Sequence, residues 1–94
     1  MYNNAKKWHT ESALVFYNSD IKKRVGFTAS KKVGNAIKRN LAKRRLRAIF
    51  LEIQDNLHDG VYVFVAKEKM NQIPYEVLKK SLVWSMKKLN CVKE

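Results

Sequence analysis

Acidic residues are scarce in this chain of 94 residues, eight against twenty lysines and arginines, and the stretch from Lys31 to Arg47 contains none. Cysteine occurs once, as Cys91, so an internal disulfide is excluded, and Cys91 reads as a small, semi-buried residue near the C-terminus. With only two histidines, His9 and His58, no Cys/His spacing of a zinc site exists. The acids are scattered and form no carboxylate cluster of the kind that holds two metal ions. No apolar run approaches the ~20 residues needed to cross a bilayer, and no apolar segment with a small-residue cleavage site opens the chain. Repeats, low-complexity tracts and linker-like stretches are also missing. These absences predict a single domain over residues 1–94, soluble and cytoplasmic, with no tightly bound metal or cofactor.

What is present is a hydrophobic fraction of 46%, enough for a modest core, beside a formal charge of +12 and a pI near 10.0. Like charges at this density repel one another, and the repulsion has to be offset by a polyanion. Nucleic acid and an anionic membrane surface both qualify, and composition alone does not separate them.

Taken in order, residues 1–10 carry asparagines and lysines without periodicity and read as an irregular start, with Trp8 either docked on the core or stacked on a base and His9 on the surface. Ser12 to Tyr17 is rich in β-formers and is bounded by the polar cluster Asn18-Ser19-Asp20, as a strand would be. Arg24 to Ala29 reads as a second strand, and the short link between the two predicts an antiparallel hairpin. A helix is expected from a cap at Asn35 to about Asn56. Stepped at 100° per residue, Ala42, Leu46, Ile49, Phe50 and Ile53 share one arc, while Asn40, Lys43, Arg44 and Arg47 share the roughly opposite one. Val61 to Ala66 is a continuous apolar strand that suits a central position, parallel to the second strand through a β-α-β crossover. A last helix runs from Pro74 to about Leu89, packing Tyr75, Leu78, Leu82, Met86 and Leu89 on the sheet, with Val77 and Trp84 widening that face.

The cations of the long helix decide between the two polyanions. Arginine presents a planar fork that matches phosphate, lysine a hydrated point charge, and Asn40 among them adds a neutral donor and acceptor. A membrane-surface helix would need its apolar face free for lipid. Here that face is also the core of the sheet, so nucleic acid is the expected partner.

The run Arg24 to Arg47, RVGFTASKKVGNAIKRN followed by Lys43-Arg44 and Arg47, resembles the signature of the bacterial ribonuclease P protein subunit. Ser30, Lys31, Lys32, Gly34, Asn35, Ala36, Arg39, Asn40, Lys43, Arg44 and Arg47 each match that family's S-K-K-x-G-N-A, R-N-R and K-R-x-x-R elements. Leu41 departs from it, standing where the family has the second arginine of R-N-R, with Arg45 a partial substitute on the same helix. The family also begins with a basic tail and a short helix, whereas this chain starts at what would be that helix's end, at Tyr2, a start either naturally short or trimmed.

The resemblance implies an α/β (α+β) two-layer sandwich, a small sheet with an antiparallel hairpin and a left-handed β-α-β crossover, and helices packed on one face. It implies a subunit of the ribonucleoprotein that removes the 5′ leader of precursor tRNA, with the RNA as catalyst and Mg²⁺ used by that RNA. The polypeptide would contribute no catalytic residue. Its partners would be the catalytic RNA and precursor tRNA, with no membrane and no obligate protein partner. On this reading Lys31, Lys32, Arg39, Asn40, Lys43, Arg44 and Arg47 bind the catalytic RNA. Tyr2, Leu14, Phe16, Lys31 and Ala66 line a cleft for the single-stranded leader, unless Leu14 and Phe16 are ordinary core. The rival readings are a ribosomal or RNA-chaperone protein of similar fold, and a protein-only ribonuclease with His9 and His58 as acid and base.

Overall fold

A computed structural model describes residues 6–19, 22–90 and 92. The expectations for Tyr2 and Cys91 lie outside the described residues. Four strands, β1 (Lys6–His9), β2 (Ala13–Ser19), β3 (Arg24–Ala29) and β4 (Gly60–Ala66), form one sheet in the order β1-β2-β4-β3. Helix α1 (Ala36–Ile53) joins β3 to β4, and α2 (Tyr75–Lys88) follows β4.

The most apolar strand, β4, occupies the centre. It pairs antiparallel with β2, Leu14 opposite Val65 and Phe16 opposite Val63, and parallel with β3, Gly26 opposite Val63. The parallel β3-α1-β4 crossover is therefore present. The hairpin expected between the first two strands is not, because β4 lies between them. Skipping one strand means crossing about 10 Å, which a four-residue link covers easily, so loop length alone could not choose between neighbours. Insertion of β4 lets its backbone pair on both edges.

The antiparallel hairpin is instead β1-β2, in a segment read from sequence as irregular. Three of the four residues of β1 are polar, but pairing with β2 satisfies its backbone and overrides weak local propensity. Its turn is tied by Thr10, whose Oγ1 accepts from the Ala13 amide at 2.9 Å.

Helices cover one face only. Val15, Tyr17, Tyr62 and Phe64 point into the core, where they meet Ala42, Leu46, Ile49 and Phe50 of α1 and Leu78, Leu82, Met86 and Leu89 beside them. The arc predicted for α1 is thus its buried face, with Ile53 half-buried at the end. On α2, Val77 does not widen the packing face, being 53% exposed, whereas Trp84, 52% exposed, does so through one edge. Ser85 is buried instead, its hydroxyl donating to the Ser81 carbonyl at 2.8 Å, a bond that lets a small polar group enter the core. Trp8 packs edge-on against Trp84, ring centres 5.4 Å apart, and so closes the β1 side of the core.

Gly60 opens β4 at φ +157°, and a Cβ there would stand 2.6 Å from Tyr17 Cε1 and 2.8 Å from the Asn18 carbonyl oxygen. Gly60→Ala is expected to destabilise the fold by about 1–3 kcal/mol through strain and close approach. Urea denaturation checks this, and an unchanged midpoint would show that the strand end adapts.

Candidate nucleic-acid interface

Local chemistry starts α1 where the sequence predicts. The Ser30 hydroxyl accepts from the Lys32 amide at 3.2 Å, stabilising a 3-10 turn over Lys31–Val33, and Asn35 Oδ1 accepts from the Lys38 amide at 3.0 Å as the helix cap. Gly34, at φ +137°, makes the turn between them.

From that start, Arg39, Lys43 and Arg47 follow at four-residue steps down the flank of α1 beside β3, with Asn40 and Arg44 next to them towards solvent. The Arg47 guanidinium lies 5.8 Å from the centre of the Phe27 ring, and a groove of about 290 Å³ runs between Lys43 and Arg47 on one side and Val25 and Phe27 on the other. Phe27 stacks on Phe64 at 5.6 Å, so the core itself holds the platform under Arg47. The sequence offered no sign of Phe27's part, since aromatic support for a cation requires β3 and α1 to be adjacent.

Two cations of the helix differ from expectation. Arg45 does not stand in for the missing arginine at Leu41: its guanidinium donates to the Met70 carbonyl at 2.8 Å and to the Ile73 carbonyl, tying α1 to the turn before α2. Burial lowers the pKa of Arg45 from its ordinary value. Arg39 is half-buried on the core side of the flank, and its Nε is buried without a partner among the described residues. The first acid beyond the run, Glu52, is engaged by Lys79 at 3.0 Å, and that hydrogen bond holds its carboxyl below the usual range. It therefore does little to neutralise the α1 flank.

The sheet's other face has no helix over it. Leu14 and Phe16 of β2 lie there beside Val63 and Val65 of β4, all half-buried, so the two β2 residues are not part of the helix-covered core. Strand alternation turns the Ala66 side chain to the helix side, where it is fully buried, and the residue still borders the concavity at the end of the open face. At the end of this face a concavity of about 490 Å³ is lined by Leu14, Val65 and Ala66 together with Lys32, Lys67 and Lys69 and the acids Glu11 and Glu68. Lys32, not Lys31, reaches it, and Lys31 is exposed on the turn. Val63, Val65 and Lys67 were missed by the sequence reading, because an unbroken apolar strand hides which of its faces is covered.

His9 and His58 are both exposed and lie near opposite ends of the sheet, since His9 pairs with Leu14 opposite Val65, whereas His58 precedes Gly60. The intervening strand spans roughly 17 Å, too far for both imidazoles to reach one phosphate. Among the described residues no group of three or more His, Cys, Asp or Glu could hold a metal ion, and no helix is long and apolar enough to cross a membrane. A larger groove, about 640 Å³, runs along α2 beside Trp84, where Glu52 and Glu76 alternate with Lys79, Lys80 and Lys87.

A family model described as Ribonuclease P matches residues 1–90. The chain belongs to the ribonuclease P protein family. It is 47% identical over 70 residues to the ribonuclease P protein component of Nitratiruptor sp., covering 74% of this chain and 64% of that protein, so the match spans a little under two thirds of the relative's length. Against the component from Bacillus mycoides it is 38% identical over 80 residues, 80% of this chain and 70% of the relative. Among solved structures, the RNase P protein of Staphylococcus aureus aligns with a TM-score of 0.84 at 21% identity, covering 98% of this chain and 87% of that one. The protein from Thermotoga maritima gives 0.79 at 20% identity, over 93% and 86%. These likenesses support the α+β fold of a four-stranded mixed sheet and two helices. Family membership connects the chain with tRNA processing as a holoenzyme component.

Proposed function

We propose that this chain is the protein subunit of a ribonuclease P, acting in the cytoplasm as a single RNA-binding domain that assists removal of the 5′ leader from precursor tRNA. The observation that carries the reading is the flank of α1, where Arg39, Asn40, Lys43, Arg44 and Arg47 form a surface with no carboxylate among them, in a chain whose family model spans residues 1–90. Lys31 and Lys32 extend that surface at the start of the helix. These groups bind phosphates of the catalytic RNA.

The open sheet face holds the single-stranded leader. Phe16, with Leu14, Val63 and Val65 around it, offers an apolar floor on which bases of any sequence can lie, and Lys32 stands at its end for the backbone, beside the acids Glu11 and Glu68. Mg²⁺ belongs to the RNA and supplies charge stabilisation at the phosphodiester. The chain's own residues bind and orient the two RNAs and transfer no proton. A ribosomal or RNA-chaperone role uses the same basic flank but predicts no effect on leader removal.

The deciding experiment is cleavage of precursor tRNA by a cognate catalytic RNA at low Mg²⁺, with and without the protein. A strong protein requirement supports the proposal, and equal rates would sink it. Phe16→Ala is expected to raise KM for a precursor with a leader roughly tenfold, while affinity for the catalytic RNA is unchanged. Equal KM values for variant and wild type would remove Phe16 from the leader path.

A further inference from the structure

The outward crest of α1, directly opposite its buried face, is not uniformly charged. Ile37, Leu41, Arg44, Ala48 and Leu51 follow one another at steps of four, three, four and three residues, and so share one line on the helix. Ile37 is 79% exposed, Leu41 45% and Leu51 57%. Single exposed aliphatics are ordinary, but a line of them on one helix marks a contact surface. Only Arg44 interrupts the line.

What covers such a strip is constrained by its borders. Asn40, Lys43 and Arg47 run along one side, while Lys38 stands on the other at the Ile37–Leu41 end and Glu52, held by Lys79 at 3.0 Å, at the Leu51 end, so the half of the strip around Ile37 and Leu41 has no carboxylate beside it. An apolar protein face laid on the crest would leave Arg44 buried and unpaired, a costly arrangement. Structured RNA meets both demands at once. The minor groove of an A-form helix is wide and shallow, with sugars and base edges on its floor and phosphates at its margins. A helix roughly 10–12 Å across with its side chains can lie along it.

Resting on the ribonuclease P reading above, we propose that the crest of α1 is an apolar contact strip for the catalytic RNA. Ile37 and Leu41 pack on sugars and base edges of a shallow groove while the flanking cations hold its phosphates. The strip adds affinity that salt does not screen, and it sets which RNA surfaces fit, because a phosphate placed against Leu41 would lose its solvent and gain no partner.

The test is binding of the cognate ribonuclease P RNA by full-length variants across a KCl series. Ile37 and Leu41 are exposed, and glutamine is a good helix former, so the double variant Ile37→Gln/Leu41→Gln is expected to keep its thermal midpoint. Its Kd should rise about tenfold or more at every salt concentration, with the slope of log K against log salt unchanged. Leu41→Arg, which adds a charge at the same spot, should bind no more tightly than wild type. Tighter binding by Leu41→Arg with a steeper slope would place a phosphate there and overturn the proposal. So would a double variant that binds as well as wild type. A shift of the free protein from dimer to monomer, with RNA affinity untouched, would also overturn it and assign the strip to a second copy of the chain. Failure of the wild-type protein to bind the RNA at all would instead overturn the underlying ribonuclease P reading.

Discussion

Replacing Lys43, Arg44 and Arg47 together with alanine is expected to weaken binding of the catalytic RNA by roughly 10²–10³-fold at moderate salt, at about 1–1.5 kcal/mol for each phosphate interaction removed. The slope of log K against log salt should become shallower by about 2–3, since each neutralised phosphate releases roughly 0.7–0.9 of a counterion. The fold should survive. None of the three is fully buried, and alanine favours the helix, although a guanidinium no longer covers Phe27. Titration of labelled RNA over a salt series reads both quantities. An unchanged slope would remove these residues from the phosphate-binding surface, whatever happened to the affinity.

Arg45→Met is expected to do the opposite, with a large loss of stability and little loss of RNA recognition. Two charge-assisted bonds to the Met70 and Ile73 carbonyls hold the turn between β4 and α2 against α1, and Met70 itself is fully buried. Removing the guanidinium breaks both bonds and leaves the Ile73 carbonyl without this donor, while the Met70 carbonyl keeps the Ile73 amide at 3.2 Å, a loss of about 2–4 kcal/mol, or a fall in thermal midpoint of roughly 10–20 °C for a domain of this size. Arg45→Lys should recover little, because one ammonium on a thin stem does not reproduce a planar fork reaching two carbonyls. Calorimetry measures the loss. A variant with normal melting but a salt slope shallower by about 1 would mean that Arg45 touches phosphate after all.

Arg45 and its neighbours differ in a way that local sequence does not encode. On a helical projection Arg45 is one more cation off the core arc, and nothing within four residues distinguishes it from Arg44. Its partners lie 25 and 28 residues away, in a turn whose position depends on how α2 closes over the sheet. Lys67 is similar: its ammonium donates to the Thr10 carbonyl at 2.7 Å, a contact between two segments that meet only because β2 and β4 pair.

Features set by short-range chemistry were legible in full. The Asn35 cap, the buried arc of Ala42, Leu46, Ile49 and Phe50, the central position of β4 and the start of α2 after Pro74 all follow from residues close together in the chain. Strand order was not legible, because the link between β2 and β3 fits either adjacent or once-removed strands, and only competition for β4's edges decides.

Sequence alone thus specifies a polycationic helix without internal neutralisation, its caps and its buried arc, and a motif distinctive enough to name a family. Three things waited on tertiary packing: that β4 separates β2 from β3, that one face of the sheet stays open with Phe16 and Leu14 upon it, and that Arg45 is a structural tie and not part of the RNA-facing charge. Helix caps and amphipathic arcs involve groups within about four residues of one another, whereas strand order and cross-element hydrogen bonds are chosen among distant alternatives that no short stretch of sequence encodes.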